Sequence, residues 1–318
     1  DRPHAAARLG PGSDVLGFDT PRSTDHDWGP RLELFVDDPG DLSEVLARRL
    51  PTAFRGWSTH FAPHRRHDRS MTPTDGPVDH YITIAPFESW VRDLLGFPPD
   101  APLTCLDWLA TPWQRFAELT GGAVFHDPTG ALATLRDRLT WYPDDVWRYV
   151  LAAQWQRIAQ EEAFPGRAAE AGDELGARVV TARLCREVGR LTLLLGRRWP
   201  PYQKWLMHAL GPDPVVAPLL AALRASDAAD RQDALCTALE LTAERQNDTG
   251  LSVTLPATRR QFHTRPYAVL GAERFAEGLR AAISEPALRE RPLTGCVDQI
   301  TDNTDALGSR VLDKFYCR

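Results

Sequence analysis

The spacing of apolar residues changes near residue 130, and this change constrains the fold of the 318-residue chain more than any other feature. Before that point, short apolar runs bounded by glycine and proline alternate with short helical patterns, which is typical of a small sheet with helices. Beyond it, apolar residues recur at the spacing of amphipathic helices. We therefore predict an α+β fold, with a small mixed-sheet domain over residues 1–135 and a helical bundle with a C-terminal tail over residues 136–318.

The same patterns predict individual elements. In the first part we expect strands over residues 5–9, 32–36, 78–84 and 123–125, and helices over residues 41–50 and 87–95, with Asp41 as a cap. In the second part we expect helices over residues 144–162, 173–198, 215–225 and 227–245. Breaks at proline and glycine separate these helices.

Composition excludes several classes of protein. The net charge is −6 and the pI is about 5.9, with no long basic segment, so we expect no binding to long nucleic acid. The longest apolar run, residues 191–195, is too short to span a membrane. Five widely spaced cysteines without a CxxC pair argue against a zinc ribbon and a disulfide framework. We therefore expect a cytoplasmic protein that acts on a small molecule or another protein.

Residues 12–27 contain the pattern that most clearly indicates a binding site, one for metal ions and phosphate. Gly12 and Ser13 close the first predicted strand, and Asp25 and Asp27 precede the second. In an extended chain alternate side chains face the same way, so the two carboxylates would project together. Such a pair can hold two Mg²⁺ ions, which prefer oxygen ligands and keep positions for phosphate oxygens. Gly12 lets the backbone approach a phosphate, and Ser13 offers it a hydroxyl donor.

Each part of this pattern also has an ordinary explanation. Acidic turns are common, so Asp25 alone could act as a local cap. The order of strand, Gly-Ser, Asp-x-Asp and strand is what favours a site. A third carboxylate, Asp79, stands in the next predicted strand and faces away from its apolar side chains. Single acids at strand starts are frequent, so both interpretations of Asp79 stay open.

This order of features resembles the nucleotidyltransferase superfamily that includes DNA polymerase β and kanamycin nucleotidyltransferase. The family pattern is an apolar strand, Gly-Ser, a variable stretch, Asp-x-Asp and a third carboxylate on a later strand. The resemblance implies that Asp25, Asp27 and Asp79 bind two Mg²⁺ ions. It also implies that Gly12 and Ser13 bind the triphosphate of ATP or another nucleoside triphosphate.

Longer segments resemble a bacterial family, the domain of unknown function numbered 4037. They are STDHDWGPRLELF, YPDDVWRYVLAAQWQRIAQEE, GDELGARVVTARL, RRWPPYQKW and GCVDQITDNTD. Residues 119–139 are also similar to the segment that joins the catalytic domain to the helical bundle in antibiotic nucleotidyltransferases. Membership in such a family does not identify an acceptor.

Superfamily members with a helical bundle often use it to hold the triphosphate and the acceptor. On this basis we expect Lys204 and Arg183 to act as phosphate ligands. Glu162 is a candidate for the general base that takes a proton from the acceptor. Glu161, Asp173 and Glu174, on facing helix ends, are the open alternatives. The alternatives are that Lys204 and Arg183 are solvent-exposed, and that acids near helix ends serve the helix dipole.

The sequence therefore predicts a Mg-dependent nucleotidyltransferase. It would move a nucleoside monophosphate, most simply AMP from ATP, to a hydroxyl or amine of a small molecule and release pyrophosphate. One rival hypothesis is a nucleotide-binding regulatory protein without turnover, such as an antitoxin-like partner of another protein. Another is the same scaffold used for other biosynthetic chemistry.

Overall fold

The computed structural model describes residues 2–23, 28–63, 72–75 and 78–308. The chain divides into two compact units, which we call the sheet unit (residues 1–102 and 114–140) and the helical unit (residues 103–113 and 141–318). A small mixed sheet and many helices confirm the prediction of a mixed α and β protein. The assignment of domains to residues 1–135 and 136–318 stays a prediction.

The strands are short and lie mainly in the first part of the chain. They are β1 (Ala5–Arg8), β2 (Leu32–Phe35), β3 (Ala53–Phe54), β4 (Trp57–Ser58), β5 (Ile82–Ala85), β6 (Ala123–His126), β7 (Arg260–Gln261) and β8 (Ala268–Val269).

The helices become longer after residue 140. They are α1 (Leu42–Arg49), α2 (Phe87–Leu95), α3 (Cys105–Ala110), α4 (Trp113–Thr120), α5 (Ala131–Arg138), α6 (Asp144–Glu161), α7 (Phe164–Glu170), α8 (Glu174–Leu195), α9 (Gln203–Leu210), α10 (Val216–Arg224), α11 (Ala228–Asp248), α12 (Glu273–Ala281), α13 (Pro286–Arg289), α14 (Val297–Ile300) and α15 (Thr304–Gly308). None of the helices in the described ranges is long and apolar enough to cross a membrane.

The sheet unit is built on four strands in the order β5-β2-β1-β6. β1 runs antiparallel to both β2 and β6, whereas β2 and β5 are parallel. Alternation along β2 buries Phe35, whose ring contacts the rings of Phe87 and Trp90 on α2 at centroid distances of 5.4 and 5.1 Å. Val91 and Leu95, one helical turn apart, complete the buried face of α2. The packing of α2 on the sheet therefore forms part of the core.

Most predicted elements of the sheet unit are confirmed. β1, β2 and β6 occupy the predicted strands at residues 5–9, 32–36 and 123–125. α1 and α2 occupy the predicted helices at residues 41–50 and 87–95. These segments combine a clear apolar period with glycine or proline at their ends, so the local pattern and the tertiary packing agree.

Two details differ from the prediction. Asp41 occupies the N-cap position of α1, but its side chain makes no cap hydrogen bond and instead pairs with Arg2 at 3.4 Å. The strand predicted over residues 78–84 begins only at Ile82. The reason is that Tyr81 has a φ of 48°, a left-handed conformation that interrupts an extended chain.

The helical unit contains the longest helices. α6 packs against α8 and α12, and α11 packs against α8 and α10. These helices confirm the periodic segments predicted at residues 144–162, 173–198, 215–225 and 227–245, with ends that differ by a few residues. Asp173 and Asp227 cap α8 and α11 by accepting hydrogen bonds from backbone N–H groups of the first turn.

A buried polar cluster joins α6, α8 and the segment that follows Gly295. The Glu187 carboxylate accepts hydrogen bonds from Gln154 at 2.8 Å and from Arg157 at 3.1 Å, and Arg186 also donates to it. Gln299 donates to the Gln154 side chain at 2.8 Å, and its carbonyl oxygen accepts from Arg157 at 2.6 Å. This part of the C-terminal segment is therefore an integral element of the helical unit.

Candidate functional site

The sheet brings two predicted site segments, the Gly-Ser turn and the chain around Asp79, to one of its ends, together with the chain that enters β2 from residue 28. β1 ends four residues before Gly12, and its register with β2 places Ala7 opposite Glu33, so β2 begins where β1 finishes. β5 is parallel to β2, with Leu32 opposite Ile82, so it begins at the same end. The Gly-Ser turn, the chain that enters β2 and the chain that enters β5 therefore lie off one end of the sheet.

Gly12 lies beside a cluster of charged side chains. The Asp14 carboxylate accepts hydrogen bonds from Nε of Arg8 at 2.7 Å and from Nη2 of Arg31 at 2.8 Å. Gly12 has a φ of 143°, and a Cβ atom there would lie within 3.0 Å of all three side chains. The three atoms are the ends of flexible side chains, so the φ of 143° is the stronger reason for glycine at this position.

Glu33 extends this cluster into the interior. Its side chain accepts hydrogen bonds from the backbone N–H of Leu9 at 2.7 Å and from Arg8 at 3.1 Å. Burial raises the pKa of Glu33 above its ordinary value, although Arg8 and the Leu9 N–H act in the opposite direction. Sequence reasoning missed Arg8, Asp14, Arg31 and Glu33 as neighbours of the Gly-Ser turn. The one available signal was a glutamate in phase with Phe35 on the buried face of an apolar strand.

Ser13 already has a hydrogen-bond partner. Its hydroxyl donates to the Asp19 carboxylate at 2.5 Å, and its carbonyl oxygen accepts from the backbone N–H of Phe18 at 3.0 Å. The turn is therefore ordered by its own polar groups. A phosphate ligand would have to take over the Ser13 hydroxyl from Asp19.

The acidic pair Asp25 and Asp27 lies outside the described residues. Trp28, the next residue in the chain, packs its ring against Phe61 at a centroid distance of 6.2 Å. The backbone of Phe61 in turn forms two hydrogen bonds with Asp79, at 3.0 and 2.8 Å. Phe61 therefore connects the chain that follows the acidic pair with the third predicted metal ligand.

The surroundings of Asp79 correct one step of the sequence argument. Asp79 forms an isolated bridge with Phe61 and precedes β5, so strand alternation does not determine where its carboxylate faces. Its Oδ1 atom accepts a hydrogen bond from the Tyr81 backbone N–H at 3.0 Å. Within the described ranges, Oδ2 of Asp79 has no hydrogen bond. One carboxylate oxygen thus supports the local turn, and the hydrogen bond from Tyr81 leaves the other unused.

Metal-ligating side chains do not gather elsewhere in the described chain. No group of three or more His, Cys, Asp or Glu side chains there has a suitable arrangement for a metal ion. Because Asp25 and Asp27 are outside those residues, the predicted set of Asp25, Asp27 and Asp79 stays a prediction.

Comparison with known proteins gives one result. Residues 108–206 match the family model "Domain of unknown function (DUF4037)". The match covers less than a third of the chain and supports a relationship to DUF4037, as the sequence segments indicated. Searches of curated proteins and of solved structures give no significant match.

The DUF4037 match contains the predicted site residues of the helical unit and none of those in the sheet unit. Glu162, Arg183 and Lys204 fall within residues 108–206. Gly12, Ser13, Asp25, Asp27 and Asp79 precede it. The family match therefore includes the predicted residues of the helical unit, whereas the predicted residues of the sheet unit lie outside it.

Glu162 lies in the DUF4037 segment and is almost fully buried, with 4% exposure. Its carboxylate accepts hydrogen bonds from the backbone N–H groups of Leu270, Gly271 and Ala272 at 2.9, 3.2 and 2.8 Å. Burial raises its pKa, which the three N–H groups counteract and the nearby Glu273 carboxylate reinforces. Glu162 thus ties the end of α6 to the start of α12, and its role as a base stays a prediction.

The two predicted phosphate ligands in the DUF4037 segment have separate surroundings. Nε of Arg183 pairs with the Glu161 carboxylate at 3.1 Å, and the Arg183 side chain is half-exposed. The ammonium group of Lys204 lies 4.9 Å from the centre of the Trp205 ring. Both cations have local partners, and both assignments stay predictions.

Proposed function

We propose that the protein is a Mg-dependent nucleotidyltransferase. It would move a nucleoside monophosphate, most simply AMP from ATP, to a hydroxyl or amine of a small molecule. The observation that carries the proposal is that one end of the sheet collects the Gly-Ser turn, the chain entering β2 and Asp79. Asp25 and Asp27 immediately precede Trp28, which contacts the same phenylalanine as Asp79.

The available groups suit this chemistry. Three carboxylates, from Asp25, Asp27 and Asp79, are the oxygen ligands that Mg²⁺ prefers. When bound, two such ions would activate the attacking atom and neutralise charge on the leaving pyrophosphate. We assign Oδ2 of Asp79 to this role, since the hydrogen bond from Tyr81 uses only Oδ1.

The Gly-Ser turn would hold the triphosphate. Gly12 allows close approach of the backbone, and Ser13 can exchange its hydrogen bond from Asp19 to a phosphate oxygen. Arg8 and Arg31 place two guanidinium groups beside the same turn. Both already pair with the carboxylates of Asp14 or Glu33, so a triphosphate would compete with these acids for them.

In the reaction, the acceptor oxygen or nitrogen would bond to the α-phosphorus of the nucleotide. The bond from that phosphorus to the bridging oxygen would break, and pyrophosphate would leave with the electron pair. A base accepts the acceptor proton, and Glu162 is our candidate. Lys204 and Arg183 are our candidates for further contacts with the phosphates.

The experiment has two stages. Affinity for a non-hydrolysable ATP analogue is first measured with Mg²⁺ and with EDTA, and we expect tight binding only with Mg²⁺. Pyrophosphate release and transfer of α-labelled AMP are then measured with a panel of hydroxylated and aminated small molecules. Analogue binding without transfer would favour the regulatory protein, and absence of analogue binding would contradict both hypotheses.

A matched pair of variants locates the reaction. Asp27→Asn removes one predicted metal ligand, and we expect transfer to fall by at least about a thousandfold, because metal ions supply several kcal/mol of transition-state stabilisation. Asp37→Asn changes an exposed aspartate beyond the opposite end of β2, so its turnover should match the wild type. Unchanged turnover in Asp27→Asn would reject the proposed site.

A further inference from the structure

A pocket of about 360 Å³ opens in the helical unit between α6, the β7–β8 hairpin and the start of α12. Its volume is at the lower end of the range for small-molecule sites in proteins. Ala159 and Val269 provide apolar surface, and Phe262 provides an aromatic ring. The nucleotidyltransferase proposal uses the pocket only through Glu162, which forms part of its wall.

Glu162 is a buried acid that forms no ion pair with a Lys, Arg or His among the described residues. Its carboxylate accepts three backbone N–H donors, and the Glu273 carboxylate and the Cys236 thiol lie nearby. Buried carboxylates in proteins are normally paired with a cation or coordinate a metal. A carboxylate offers about four acceptor positions, so three N–H donors leave capacity for about one more.

Arg260, a cation in the pocket wall, forms an ion pair with a different acid, Glu273. Nη2 of Arg260 donates to Oε1 of Glu273 at 2.5 Å. The guanidinium also lies so close to Gly271 that a Cβ atom there would collide with it. Arg260 and Glu273 therefore compensate each other. Of the described residues that line the pocket, Glu162 is the carboxylate without an ion-pair partner, and His263 also lies in the wall.

We propose that this pocket binds a small organic cation, a primary amine or guanidinium compound with an apolar or aromatic body. The cationic group donates a charge-assisted hydrogen bond to the free acceptor position of Glu162. The body of the ligand packs against Ala159, Val269 and the ring of Phe262. This binding does not depend on nucleotidyl transfer, so either proposal can fail without the other.

A pair of probes that differ in charge tests the proposal. Tyramine and 3-(4-hydroxyphenyl)propionate share a phenol ring but carry an amine and a carboxylate, respectively. Calorimetric titration of the full chain should show saturable one-to-one binding of tyramine. Affinity for the carboxylate probe should be lower by about tenfold or more, because its charge repels Glu162. Equal affinities, or no saturable binding of tyramine at about 10 mM, would overturn the proposal.

Three variants then assign the binding to the pocket. Glu162→Gln keeps the size of the side chain and removes its charge, so tyramine affinity should fall by about tenfold. Glu273→Gln releases the Arg260 guanidinium into the pocket wall and should weaken binding several-fold. Glu277→Gln changes an exposed acid one turn further along α12, outside the pocket, and should leave the affinity unchanged.

Folding of the variants is checked by thermal unfolding. If Glu162→Gln does not fold, Glu273→Gln carries the test, because the Glu273 side chain is 47% exposed and its substitution leaves the core intact. Unaltered tyramine affinity in the folded pocket variants would reject the assignment of the site.

Discussion

The buried carboxylate of Asp298 accepts a hydrogen bond from the backbone N–H of Trp113 at 3.0 Å, across 185 residues of sequence. The guanidinium of Arg190 lies 5.7 Å from the centre of the Trp113 ring. Burial raises the pKa of Asp298 to about 6, although the Trp113 N–H and Arg190 act in the opposite direction. The contact joins two distant segments of the helical unit through a group that titrates near neutral pH.

The Asp298 contact predicts a specific pH dependence of stability. Because its pKa is higher in the folded chain than the ordinary 3.8, the folded state binds the proton more tightly. The contribution to stability is therefore present below about pH 4 and is lost as the pH rises through about 6. Asp298→Asn keeps an acceptor for Trp113 and cannot ionise.

The measurement is the free energy of unfolding of the wild type minus that of Asp298→Asn. We expect this difference to decrease by about 2 kcal/mol between about pH 4 and about pH 8, since one pKa unit corresponds to about 1.4 kcal/mol and part of the change falls below pH 4. Chemical denaturation of both proteins at several pH values measures this difference in the free energy of unfolding. A difference that stays constant over this range would contradict the role of Asp298.

Glu187 predicts the opposite pH dependence. Burial alone would raise its pKa, but the attraction of Arg190 and the hydrogen bonds from Arg157 and Gln154 lower it to about 2. Its contribution to stability is therefore present above about pH 4.5 and is lost as the pH falls toward 2. Glu187→Gln should reduce the free energy of unfolding at neutral pH by about 3 kcal/mol or more, because Arg157 and the buried Arg190 lose the carboxylate with which they pair.

A matched control is available on the same pair of helices. Glu161 of α6 pairs with the half-exposed Arg183 of α8, so Glu161→Gln breaks an ion pair between the same helices near the surface. Such pairs contribute about 0–1 kcal/mol. Denaturant titrations of both variants should therefore differ clearly, and equal losses would argue against the special role of the buried cluster.

Long helices were predictable because their apolar residues repeat over many turns. α6 and α8 follow such patterns, and their observed ends lie close to the predicted ones. The β7–β8 hairpin and short helices such as α7 were not predicted. Their stability depends on distant contacts, such as the bonds from Leu270 and Ala272 to Glu162, more than a hundred residues earlier. A local pattern cannot show such contacts.

The candidate site likewise has features that the sequence predicted and features that it did not predict. The sequence indicated Gly12 as a turn glycine, and the structure gives it a φ of 143°, a conformation that favours glycine. The charges around it come from β1, the turn and the start of β2, so no sequence spacing predicted their meeting. The late start of β5 depends on the left-handed conformation of Tyr81, which the residue type itself does not favour.

Gly12→Ala should disrupt the cluster of Arg8, Asp14 and Arg31. The new Cβ atom would meet all three charged groups, and the φ of 143° is unfavourable for alanine. We expect a loss of about 2–3 kcal/mol in the free energy of unfolding. Gly17→Ala is the control, because Gly17 also has a positive φ but has no atom within 4 Å of a new Cβ. Equal losses in the two variants would attribute the effect to backbone strain alone.

Asp79 has a local role and a proposed metal-binding role, and two substitutions separate them. Asp79→Asn keeps an acceptor for the Tyr81 N–H and removes the charge. We expect its free energy of unfolding to remain within about 0.5 kcal/mol of the wild type. Mg²⁺-dependent binding of a non-hydrolysable ATP analogue should weaken by about tenfold or more, because a neutral amide is a poorer Mg²⁺ ligand.

Asp79→Ala should lose stability as well as Mg²⁺-dependent binding of the analogue. Removal of the acceptor for the Tyr81 N–H costs about 1 kcal/mol of the free energy of unfolding. Asp75→Asn changes a nearby exposed aspartate and serves as the control for a general change of charge. If Asp79→Asn bound the analogue as tightly as Asp75→Asn, Asp79 would not be the third metal ligand, and its carboxylate would serve only to hold the turn that leads into β5.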